Sequence, residues 1–103
     1  MDDHFGNGKE WGRKGVRVVS FDSPACRTCR HEQPIMRALA RRFKGRVKIV
    51  DLDIDENRHL ANQLVIASIP TLIIFKNGKE MRRFVGLQAA EVLSKAITEV
   101  LNA

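Results

Sequence analysis

The chain has 103 residues, 44% of them apolar and 29% charged, with a formal net charge of +6. That length suits one domain around one modest core, and the apolar content excludes global disorder. No stretch approaches the roughly 20 consecutive apolar residues of a membrane span, and two cysteines are too few to staple a mini-protein in place of a core.

The charge is unevenly placed. Residues 1–26 are balanced, residues 27–50 set eight cations against Glu32 alone (a net +7), and residues 51–56 carry −4 from Asp51, Asp53, Asp55 and Glu56. The excess sits in one segment that begins between the two cysteines.

In chain order, residues 1–15 are polar and glycine-rich, which predicts a partly ordered arm with a turn of helix near residues 9–13 and Trp11 docked on the domain surface. The acidic start lacks the basic n-region and apolar h-region of a signal peptide, so a cytoplasmic, reducing location is expected. There, a close cysteine pair is redox-active or metal-binding rather than structural. Residues 16–103 form the domain.

Residues 16–21, V-R-V-V-S-F, are β-branched and mostly apolar, a strand that Pro24 breaks. From Cys26 to Lys44 the spacing turns helical, with Ile35, Met36, Leu39, Ala40 and Phe43 as the apolar stripe. Gly45 supplies the stop, and Pro34 should kink the helix. Residues 47–54 are a second strand. Asp55 or Asn57 can cap a short helix carrying Leu60, Leu64 and Val65. Residues 71–75, T-L-I-I-F, suggest a strand buried on both faces. Asn77-Gly78 predicts a two-residue hairpin turn, with residues 80–85 returning as an edge strand that carries Arg82 and Arg83. A last helix has Ala89, Val92, Leu93, Ala96, Ile97, Val100 and Leu101 on one stripe. The order β-α-β-α-β-β-α implies an α/β fold: a four-stranded mixed sheet, its first two strands parallel through a helical crossover, with helices on both faces.

Cys26-Arg27-Thr28-Cys29 carries the chemistry. Two intervening residues at a helix start bring the sulfurs within bonding reach. The first sulfur lies at the helix N-terminus, where unpaired N–H groups and the macrodipole favour an anion. The thiolate is the nucleophile, and Arg27 and Arg30 add positive charge nearby. Cys26 would attack a substrate disulfide, and Cys29 would resolve the mixed disulfide.

These features also resemble the thioredoxin family. The resemblance rests on the strand ending just before Cys26-Arg27-Thr28-Cys29, on Pro34, on Ile69-Pro70-Thr71, on Phe75-Lys76-Asn77-Gly78 and on Gly86, in that order and spacing over about residues 16–103. It implies a thioredoxin fold and a thiol–disulfide oxidoreductase, a protein-disulfide reductase with a redox-active cysteine pair. It implies a cis bond at Pro70 that exposes the backbone of Ile69 to an extended substrate, with Gly86 alongside. No organic cofactor or metal is required. The electron donor would be a thioredoxin reductase, and the substrates protein disulfides, acidic ones by preference, met by a monomer.

Several residues depart from the family pattern. Arg27-Thr28 replaces the usual Gly-Pro, and Asp22-Ser23-Pro24-Ala25 replaces the aromatic residues before the first cysteine. The first strand of the usual fold is truncated, because only 15 residues precede Val16. Ser20 stands where the family has a buried acid, and Asp51 where it has a buried Lys. Asp51 is therefore expected to supply the missing acid as proton acceptor for Cys29, partly buried with a raised pKa.

Other functions stay open on these residues. A metal site would combine Cys26, Cys29 and His31 with His4 or His59, but tetrahedral zinc wants two close pairs and there is one. A basic anion- or nucleic-acid-binding module would use the +7 segment, although Arg37, Arg41 and Lys44 fall on a face that is solvated in any case. A redox-inactive or weakly active interaction module would not need both cysteines. A glutaredoxin fits Asn77-Gly78 and Ile69-Pro70-Thr71 less well.

Overall fold

Strand β1 (Val16–Asp22) sends alternate side chains to opposite faces, and those from Val18 to Phe21 are all buried, so β1 lies inside the sheet. The computed structural model describes residues 15–103. Trp11, the helical turn expected near residues 9–13 and the segment where a truncated first strand is expected lie outside the described residues. After β1 come α1 (Arg27–Arg42), β2 (Val47–Asp53), α2 (Arg58–Gln63), β3 (Thr71–Lys76), β4 (Lys79–Val85) and α3 (Ala90–Asn102). That is the expected order.

The strands form one mixed sheet, β2-β1-β3-β4. The β1–β2 pair is parallel, and the other two pairs are antiparallel. On one face Val16, Val18, Leu72 and Ile74 meet α1 and α3. On the other, Val19, Phe21, Ile73 and Phe75 meet Leu60 of α2. The apolar run in β3 is buried on both faces, as its composition predicts. At the hairpin, Asn77 (φ 53°) and Gly78 (φ 85°) take the left-handed conformations a type I′ turn requires. Lys76 Nζ donates to the Val100 carbonyl (3.0 Å), which also accepts from Ala103 N–H, and to the Ala103 oxygen (2.5 Å), tying β3 to the end of α3. No helix among the described residues is long and apolar enough to cross a membrane.

Four side chains, Ala40, Val65, Ala89 and Val92, differ from the expected stripes; Ala89 precedes α3 as its N-cap and is exposed. Ala40 of α1 is exposed, because the buried line of that helix runs Cys29, Glu32, Met36, Leu39 and on to Phe43, a spacing of three and four residues. Glu32 thus occupies a position an apolar residue would normally fill. Val65 is not on α2: that helix ends at Gln63, and Val65 turns to solvent with φ 55° and 74% exposure. A β-branched residue rarely adopts that conformation. Here the Arg83 guanidinium donates to the carbonyls of Leu64 (2.8 Å) and Val65 (3.2 Å), which holds the turn. Val92 of α3 is 46% exposed. Pro34 lies within α1, which continues on both sides of it.

Candidate active site

The chain leaves the carboxyl end of β1 and turns at Ser23, whose carbonyl accepts from Cys26 N–H (3.0 Å). Cys26 then takes an extended conformation as the N-cap of α1, and Cys29 N–H donates to its sulfur at 3.1 Å. A cap of this kind normally needs a side-chain oxygen; here a sulfur receives one of the unpaired N–H groups of the first turn. Cys26 and Cys29 are joined by a disulfide, with Cα atoms 5.2 Å apart. Cys26 is half-buried, whereas Cys29 is 2% exposed. The first turn of α1 carries no acid, and Arg27 and Arg30 are exposed on it.

Cys29, Arg30 and Asp51 line one open cleft together with Asp22, Gln33 and Asp53. The sheet register explains this. Ser20 pairs with Asp51 and Asp22 with Asp53 across β1 and β2, and paired residues share a face. That face is the one under α1. Asp51 shares the cleft with Cys29, and desolvation raises its pKa. Its residue surface is nevertheless open to solvent, while the protein around its carboxylate supplies the desolvation.

The fully buried acid is Glu32, 1% exposed, which in the sequence stands only as a lone negative charge. Its carboxylate accepts from the Ser20 hydroxyl. Burial pushes its pKa up, the Ser20 hydrogen bond pulls it partly back, and the charges of Asp51 and Asp22 push it up again. A signal for Glu32 exists in the sequence: the spacing of Phe43, Leu39 and Met36 extends back to positions 32 and 29. The hydroxyl of this pair stands on β1 and the carboxylate on α1.

Asp22 completes the group. Burial, followed by the charges of Asp51 and Asp53, raises its pKa from 3.8 to about 6, against a lowering hydrogen bond from Gln33 Nε2 (3.4 Å). A carboxyl whose pKa is higher when folded stabilises the fold fully below its unfolded value near 3.8. That contribution is lost as pH rises through about 6. The urea midpoint should therefore fall between pH 4 and pH 6.5, and Asp22→Asn should flatten part of that slope. An equal slope in the variant would contradict this account of Asp22.

Ile69, Pro70 and Gly86 gather at the same end of the sheet. Thr71 pairs with Phe21, so Ile69 and Pro70 lie beside the segment where β1 runs on toward Cys26. The Ile69–Pro70 bond is cis, as the resemblance implies. Gly86 (φ 90°) donates its N–H to the Pro70 carbonyl at 2.8 Å, tying the end of β4 to the start of β3. Among the described residues no group of three or more His, Cys, Asp or Glu is arranged to hold a metal ion.

Comparison with known proteins gives a consistent result. A family model described as Thioredoxin matches residues 9–99. Thioredoxin from Staphylococcus saprophyticus is 37% identical over 89 residues, 86% of each chain. Thioredoxin from Staphylococcus aureus is 37% identical over 87 residues, 84% of each chain. Among solved structures, oxidised mitochondrial thioredoxin 3 from Saccharomyces cerevisiae has the same fold, with a TM-score of 0.83 at 22% identity over 92% of this chain and 88% of that one. A mutant thioredoxin from Halobacterium salinarum gives 0.83 at 24% identity over 96% and 86%.

Proposed function

The chain belongs to the thioredoxin family and is a thiol–disulfide oxidoreductase acting through Cys26 and Cys29, and we propose the following division of roles among its residues. Cys26 is the attacking nucleophile and Cys29 the resolving thiol. The observation that carries this is the position of Cys26 as N-cap, with Cys29 N–H aimed at its sulfur. Helix N-terminal donors favour a thiolate, and Cys26 is the more accessible of the two. Arg27 and Arg30 lower the Cys26 pKa further, which stabilises the reduced form and makes the disulfide more oxidising than one around Gly-Pro.

Ile69, Pro70 and Gly86 form the edge on which an extended substrate segment docks. Their placement at the cysteine end of the sheet supports this. The proton that Cys29 releases passes to the carboxylates under α1, and Asp51, which lines the cleft with Cys29, is the acceptor that exchanges it with solvent.

The substrates are protein disulfides, and a thioredoxin reductase returns the electrons. We place the chain in the cytoplasm, where thiols are kept reduced. It acts as a monomer: the edge strand β4 carries Lys79, Arg82 and Arg83, charges that oppose edge-to-edge pairing. The exposed Arg37 and Arg41 of α1 favour acidic protein partners. Rates toward an acidic substrate should then fall as salt is added, and a flat response would refute that preference. Equilibration against glutathione buffers with thiol trapping tests the reading itself. Two thiols should appear together in one two-electron transition. Independent appearance of the two thiols would overturn it.

A further inference from the structure

Among the described residues Glu32 is the one acid that is fully buried, and no cation is bonded to it. An ionised carboxylate in such a place loses its hydration without the compensation of a counter-charge. The groups facing it come from three elements. β1 contributes Asp22 and the Ser20 hydroxyl, β2 contributes Asp51, and α1 contributes Cys29, one turn back on the same buried face. Asp53, Glu56 and Arg30 are the remaining charged groups that line the cleft outside. Residues three apart on a helix are neighbours, so the buried acid and the buried cysteine stand side by side.

We propose that Glu32, held by Ser20, is the base that takes the proton from the Cys29 thiol when the mixed disulfide is resolved. The proposal rests on the exchange reading above and assigns its first proton acceptor, with Asp51 passing the proton on to solvent. The Cys29 thiol gives its proton to the Glu32 carboxylate, and its sulfur attacks Cys26 Sγ. The Cys26–Cys29 bond forms as the bond from Cys26 to the substrate sulfur breaks. The substrate sulfur leaves as a thiolate and takes up a proton from solvent. Over the cycle two cysteine sulfurs are oxidised and two substrate sulfurs reduced, so no further reductant enters. Burial raises the proton affinity of Glu32, the Ser20 hydrogen bond partly offsets this, and the charges of Asp51 and Asp22 add to the rise, the direction a proton acceptor needs.

The test mixes reduced protein with one equivalent of 5,5′-dithiobis(2-nitrobenzoate) in a stopped-flow instrument. The first thionitrobenzoate released reports attack by Cys26, and the second reports resolution by Cys29. Glu32→Gln keeps the shape and an acceptor for Ser20. It should slow the second release about 100-fold below pH 7, with the loss shrinking toward pH 9 as Cys29 ionises unaided. Combining Ser20→Asp with Glu32→Gln places a carboxylate at the other end of the same hydrogen bond and should restore most of the rate near neutrality. A purely structural role would slow both releases at every pH and show no rescue, which would overturn the assignment. A wild-type pH profile in Glu32→Gln would overturn it equally. If the wild-type protein itself releases one thionitrobenzoate and never closes Cys26–Cys29, the exchange reading fails and takes this assignment with it.

Discussion

Replacing Cys26 by Ser should lower the rate of protein-disulfide reduction about a thousandfold or more, as expected when a nucleophile is removed. Replacing Cys29 by Ser should instead stop the cycle half-way. The hydroxyl cannot attack Cys26 Sγ, so the chain should accumulate as a one-to-one mixed disulfide with its substrate through Cys26. The asymmetry follows from the site. Cys26 caps α1, half-buried, with an N–H aimed at its sulfur, whereas Cys29 is 2% exposed and bonded to Cys26. Intact-mass analysis of both variants after incubation with an oxidised protein substrate separates the two roles. Adducts on Cys29 in Cys26→Ser, with none on Cys26 in Cys29→Ser, would reverse the assignment.

The second large effect is on stability. Phe43 follows α1, is 1% exposed and packs in the cluster shared by α1, α3 and the sheet. The Arg42 and Arg46 guanidinium carbons lie 5.8 and 5.3 Å from its ring centroid. Phe43→Ala removes a full aromatic side chain from a core that can collapse only partly, and should cost about 3–5 kcal/mol. A small domain typically has about 5–15 kcal/mol in total, so the variant should unfold at far lower urea. A loss below about 1 kcal/mol would mean that the α1–α3 cluster does not carry the fold. The effect bears on the active site as well, since α1 is the element that holds Cys26, Cys29 and Glu32 in place.

Much of this is legible in the residues because each local signal agrees with the global fold. The β-branched runs of β1 and β3, the Asn77-Gly78 turn and the Cys-x-x-Cys at a helix start each point to one structure. The cis Ile69–Pro70 bond is legible only through family resemblance, because nothing local to the pair specifies it. Glu32 escapes for a physical reason. A single Glu among eight cations reads as a solvated charge, and its burial depends on helix phase, which a stripe begun at Ile35 does not reach. Once α1 is rotated to bury positions 29 and 32, Ser20 and Glu32 explain each other. Asp51 illustrates the converse. The residue type at that position draws attention, and its pairing with Ser20 does place it on the right face, but β2 is the edge strand among the described residues, and there the residue is open to solvent. Hydrophobicity alone puts Val65 and Val92 on helix stripes, and it fails wherever a helix ends early or its apolar arc is narrower than its apolar content.

The most direct measurement is the dithiothreitol-driven reduction of insulin with and without this protein at micromolar concentration. Reduction should be strongly accelerated by the wild-type chain and return to the background of dithiothreitol alone with Cys26→Ser. No acceleration by a wild-type chain whose Cys26–Cys29 disulfide is seen to open and close with dithiothreitol would contradict its action on protein disulfides.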